Sequence, residues 1–247
     1  KLMGFISRFK FTIISIKFFV QHVKHIIKME KYKYPKTFHL PTSPGLQNDD
    51  RMLPDLACFE GKMIIITEKM DGENTSMYRD HYHARSLDSN NHPSRNYVKG
   101  IWGAKRWVIP KGWRICGENM YAEHSIPYKD LEDYFLVFSI WDENNICLSW
   151  EDTKYWCESF GLKTVPELVG PFEFEKLETI INHCHLPQDM EGYVIRNAEK
   201  FHYNAFQENV AKWVRKNHVQ TDEHWMSKPI TKNELRKTET KSLTETV

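Results

Sequence analysis

Met63-Ile64-Ile65-Ile66-Thr67-Glu68-Lys69-Met70-Asp71-Gly72 is the most informative stretch of this 247-residue chain. Its first five residues are an apolar, β-branched run, which fits a buried strand better than a helix. Asp71-Gly72 follows as a turn, with Gly72 expected to supply the positive φ of a tight reversal. Lys69 then stands at the end of a strand beside a turn, where an amine is held rigidly and close to a ligand. By itself Lys-x-Asp-Gly equally describes a surface lysine before a turn.

Downstream of Lys69, residues 75–79 read as a second strand and residues 81–86 as a third. Arg85, directly after this lysine hairpin, can pair with phosphate or ribose through its planar fork. Residues 86–111 are polar and basic, carrying Arg95, Lys99, Lys105, Arg106 and Lys111 with Trp102 and Trp107 interleaved. A helix with core tryptophans and some phosphate-contacting cations is expected there. Strands are expected over 113–119, which holds Cys116-Gly117-Glu118-Asn119, and over 134–141, which holds Phe138-Ser139. Residues 152–160 look helical and end at Gly161, a good C-cap. Residues 174–183 form a second helical stretch with Phe174, Leu177, Ile180 and Ile181 on one face. Strand runs return at 192–196, just after Glu191, and at 210–215, which holds Lys212 and Arg215. Residues 34–51 are loop-like, punctuated by Pro35, Pro41, Pro44 and Gly45.

Lys and Arg total 34 against 33 Asp and Glu, a net charge of +1, so contact with a polyanion must come from a local patch. The five cysteines form no Cys-x-x-Cys pair, which points to reduced thiols in an intracellular, cytoplasmic protein. His183-Cys184-His185 has no second pair at zinc spacing and reads as a helix end. Residues 1–28 are basic and apolar, but Lys17 interrupts an apolar run too short for a bilayer. They read as an extension outside the fold, with a peripheral helix as the alternative. Residues 29–226 are expected to form the domain. Residues 227–247, rich in Lys, Thr and Glu, read as a polar tail that is frayed or disordered.

Six motifs in order, around Lys69, Arg85, Glu118, Phe138, Glu191 and Lys212, resemble those of the covalent nucleotidyltransferases. The closest likeness is to the ATP-dependent RNA ligases of the RNA ligase 2 type, from about residue 38 to 226. The resemblance implies an α+β adenylyltransferase domain, with antiparallel sheets and flanking helices around an ATP cleft. It also implies a role for each matching residue. Lys69 is the nucleophile. Glu68 helps read the adenine, Glu118 accepts from the ribose hydroxyls and Phe138 stacks on the base. Glu191 holds Mg²⁺ or Mn²⁺, and Lys212 contacts the α-phosphate. Arg85 lies near the ribose and the RNA 5′-phosphate, and Arg95 and Lys99 become RNA-contacting candidates. His39-Leu40-Pro41 resembles the segment that packs near the base, though it also reads as plain loop. Two departures stand out. Ser139 replaces the usual Asp after Phe138. Val214 replaces the second lysine of the last motif, leaving Arg215 as the candidate.

The implied reaction starts with a neutral lysine, although a free lysine titrates near about 10.4. Neighbouring cations must expel its proton. AMP then passes to an RNA 5′-phosphate, and a 3′-hydroxyl seals the strand, with nicked or paired RNA as the expected partner in RNA repair. No membrane partner is expected for the domain, and an accessory RNA-binding protein would supply any missing module. Three alternatives stay open: a capping-type guanylyltransferase, a DNA ligase core, and a catalytically silent RNA-binding relative. GTP labelling, acceptor preference, and RNA binding without a covalent adenylate separate them in turn.

Overall fold

A computed structural model describes residues 30–46, 49–175, 190–216 and 229–237. All elements below lie in the unit Lys33–Val247. The chain is mixed α+β. One sheet has the order β1-β12-β10-β2-β9, built from β1 (Phe38–His39), β2 (Met63–Glu68), β9 (Glu167–Glu173), β10 (Gly192–Asn197) and β12 (Val210–Val214). The other has the order β11-β7-β6-β5-β3-β4. It contains β3 (Glu73–Tyr78), β4 (Tyr82–Ala84), β5 (Arg114–Asn119), β6 (Phe135–Trp141), β7 (Ile146–Cys147) and β11 (Phe201–His202), with β8 (Lys163–Thr164) also on β6. Pairing is antiparallel except for β1 with β12 and β6 with β8.

The apolar run of β2 is buried on both of its faces. Ile64 and Ile66 pack with Leu40, Phe59, Tyr193 and Ile195, whereas Ile65 packs with Met70, Met120 and Trp150. Strands covered on both sides read as continuous hydrophobic runs, and each fully buried Ile contributes about 1.5–3 kcal/mol. Helix α1 (Asn96–Lys105) covers the second sheet through Val98 and the partly buried Trp102. Helix α2 (Trp150–Phe160) starts two residues earlier than expected, because the Ser149 side chain caps it by accepting from Asp152 N at 3.1 Å. It ends at Gly161, which is left-handed at φ 61°.

Four expectations need correction. Gly72 is not among the positive-φ residues. It is needed for close approach, since a Cβ there would lie 2.6 Å from Met120 Sδ and 2.7 Å from Asn119 O. Trp107 is 66% exposed rather than core, as it follows the end of α1. Phe174 is buried beyond β9 and not helical, while the rest of 174–183 after Glu175, His183-Cys184-His185 and residues 1–28 lie outside the described residues. Finally, residues 229–237 of the expected free tail pack on the domain through bridges Ala122–Lys232 and Leu131–Leu235. Asn233 is 3% exposed; it donates to Met120 O at 2.8 Å and accepts from Tyr128 N at 2.9 Å. The attachment is polar, so no apolar periodicity announces it.

Candidate active site

The turn after β2 carries Lys69 to the mouth of a cleft between the two sheets. The Lys69 amide donates to Gly192 O at 3.0 Å, which ties the lysine to the start of β10. Gly192 must be glycine, because a Cβ would lie 2.0 Å from Trp213 O on β12. This close approach fixes a lateral row on the first sheet: His39 beside Lys212, Lys212 beside Val194, Val194 beside Thr67. All four line the cleft, whose volume is ≈ 360 Å³. That is within the range of small-molecule and cofactor sites. Asn74 and Glu118, paired across β3 and β5, line it from the second sheet.

Seven of the residues singled out in sequence meet at this cleft: Glu68, Lys69, Arg85, Glu118, Phe138, Glu191 and Lys212. Lys69 Nζ donates to Glu191 Oε2 at 2.6 Å, with the Glu191 side chain only 5% exposed. Lys212 Nζ donates to Asp50 Oδ1 at 3.1 Å. Phe138 is half-buried, edge-on to Tyr34 at a centroid distance of 4.9 Å, and its carbonyl accepts from Arg196 Nη1 at 3.1 Å. Arg85 is exposed at the rim.

Three candidates are not brought to the cleft lining. Arg215 follows β12 and donates its amide to Glu191 O at 3.0 Å, whereas Val214 faces the cleft. Arg95 is held in a forked ion pair with Glu73, its Nε donating to Oε2 at 2.7 Å. Lys99 is exposed on α1. Conversely, Asp50, Thr67 and Asn74 line the cleft without having been assigned a chemical role in sequence, and His39, read either as near the base or as plain loop, lines it as well. Asp71 serves the scaffold. Its Oδ2 accepts from the amides of Ser125 and Ile126 at 2.8 and 3.0 Å, pinning the loop beyond β5 beside Lys69.

The charges are strongly coupled. Burial pulls the Lys69 amine down, but Glu191, Glu118 and Asp71 together outweigh it and hold the pKa above the ordinary lysine value. The ligand-free amine is therefore an ammonium. Burial pushes the Glu118 carboxyl up to about 8, with Lys69 opposing and Glu191 adding to the rise. Lys212 is lowered, first by burial and also by Lys69, with Asp50 opposing. His39 is lowered by burial and by Lys212, which keeps its imidazole neutral at neutral pH.

Fold and cleft together define a lysine-centred site between two largely antiparallel sheets. The family model described as RNA ligase matches residues 62–214, more than half of the chain. The chain belongs to the RNA ligase family. Among solved structures, an archaeal ATP-dependent RNA ligase is similar with a TM-score of 0.50 and 18% identity, covering 75% of this chain and 48% of that one. A Naegleria gruberi RNA ligase mutant without ligand matches at a TM-score of 0.48 and 16% identity, covering 78% of this chain and 60% of that one. Another mutant of the same ligase, determined with ATP and Mn, matches at 0.49 and 16%, covering 76% and 59%. The chain thus spans about half to three fifths of the length of these ligases. No curated protein matches the chain.

Proposed function

We propose that the chain is the adenylyltransferase core of an ATP-dependent RNA ligase, with Lys69 as the nucleophile. The observation that carries this reading is the Lys69 amine, in a nucleotide-sized cleft, 2.6 Å from Glu191 and sharing that cleft with Glu118 and Lys212. In the first step the neutral Lys69 nitrogen attacks the α-phosphorus of ATP. A P–N bond forms, the P–O bond to pyrophosphate breaks, and the amine proton is lost. Lys212 neutralises charge on the α-phosphate, since phosphoryl transfer rests on positioning and electrostatics. AMP then moves to an RNA 5′-phosphate and is released when a 3′-hydroxyl attacks.

Glu191 presents a carboxylate to the cleft and would hold the divalent ion, since Mg²⁺ needs only one or two carboxylates because it keeps most of its waters. A divalent ion held there would supply positive charge to the cleft, and Glu191, engaged by it, would no longer hold Lys69 protonated. Burial then favours the neutral amine. Glu118 is assigned to the ribose hydroxyls, Phe138 to the base and Arg85 to the RNA 5′-phosphate. RNA repair is the role this chemistry suits. The test is sealing of a nicked duplex with ATP and Mg²⁺, comparing RNA with DNA 3′-hydroxyl strands. Sealing of the RNA nick, lost in Lys69→Ala, supports the reading. Efficient sealing confined to DNA ends would replace it with a DNA ligase core.

A further inference from the structure

The segment between β1 and β2 contributes a chain of buried polar contacts that ends on Lys212. It starts at the Val214 amide, which donates to Ser43 Oγ at 2.9 Å. Ser43 Oγ lies 2.7 Å from His39 Nδ1, and His39 Nε2 lies 3.0 Å from Asp50 Oδ2. The other oxygen of Asp50 accepts from Lys212 Nζ. His39 is fully buried and Ser43 4% exposed, while the Asp50 and Lys212 side chains are 13% and 17% exposed. A neutral imidazole protonated at Nε2 faces the Asp50 carboxylate, which leaves Nδ1 to accept from Ser43. Backbone bonds hold the pieces in place. Leu40 N donates to Lys212 O and His39 N to Arg51 O, each at 2.7 Å.

We propose that Asp50 is a positioning residue for Lys212: clamped by His39 and Ser43, its carboxylate aims the Lys212 amine into the cleft and keeps it charged for the nucleotide phosphate. Half-buried between Lys69 and the sheet, a lysine without a counter-ion would swing away or shed its proton. Lys212 is faced by Asp50 and His39 from the N-terminal segment, by Lys69 from the turn after β2, and by Glu191 ahead of β10. Of these, Asp50 alone is within ion-pair distance of it among the described residues.

The proposal rests on the adenylyltransferase reading. Its test is the rate of Lys69 labelling by α-labelled ATP across pH 6.5 to 9 for the parent, Asp50→Asn and His39→Gln, each first checked for cooperative unfolding. Asparagine keeps the shape but not the charge. Asp50→Asn should label roughly tenfold more slowly at neutral pH, and its deficit should widen by a further severalfold towards pH 9 as Lys212 deprotonates earlier. His39→Gln should show a smaller deficit of the same form, and carries the test if Asp50→Asn does not fold. Parent-like rates in the folded variants, or a deficit constant across pH, would overturn the role of Asp50 and leave the ligase reading intact. A parent chain that takes no label would overturn both.

Discussion

Burial pushes the Glu118 carboxyl up to about 8 in the ligand-free protein. Its folded pKa exceeds its ordinary value of 4.5, so the folded state binds more protons between those limits. The associated stability is complete below about 4.5 and declines as pH rises towards 8. Glu118→Gln removes that slope. Thermal unfolding without ligand should show the variant gaining on the parent steadily from pH 5 to 8; a constant difference would refute the assignment. Arg85 is exposed at the cleft rim, and its proposed place is at the acceptor end of the reaction. Arg85→Ala should slow nick sealing about tenfold or more, while Lys69 labelling falls far less, since a lost charge-assisted phosphate contact is worth about 1.5–3 kcal/mol. Equal loss in both assays would place Arg85 on ATP. The principal site residues were legible because each sits on a strand-like run with its own short motif. Asp50 was not, since its partner Lys212 is 162 residues away in sequence and only the parallel pairing of β1 with β12 brings them together.

Short and irregular elements were the ones sequence missed. β2, β6, β10 and β12 carry apolar runs that burial rewards, and they and β5 appear close to where they were expected. β9 carries Gly170 and Pro171, which local preference excludes from a strand interior, yet it pairs with β2 through register shifts. β1 is two residues long and exists because β12 offers it an edge. The packing of 229–237 is likewise a tertiary effect. Asn233→Ala removes the side-chain bonds to Met120 O and from Tyr128 N in a buried setting. A loss of about 1–3 kcal/mol is expected, read as a lower urea midpoint at unchanged slope. An unchanged midpoint would show that the segment adds nothing to the fold. Gly192→Ala should be worse, since the new Cβ would meet Trp213 O at 2.0 Å and push β12 off β10.

The whole molecule carries a net charge of only +1, so the RNA contact the proposed function requires must come from a local patch. Apparent RNA affinity in sealing should therefore fall with salt with a shallow slope, reflecting few phosphate contacts, by nick sealing at 50 to 200 mM salt. A slope corresponding to many contacts would point to a wide basic surface instead of a small patch. No helix among the described residues is long and apolar enough to cross a membrane. The proposed activity stands on one covalent bond, between Lys69 and AMP. Incubation with α-labelled ATP and Mg²⁺, then denaturing electrophoresis and peptide mapping, tests it directly. The expected result is label on the parent chain, at Lys69, lost on Lys69→Ala and not replaced by GTP. Label from GTP alone, label elsewhere, or none with either nucleotide would contradict it.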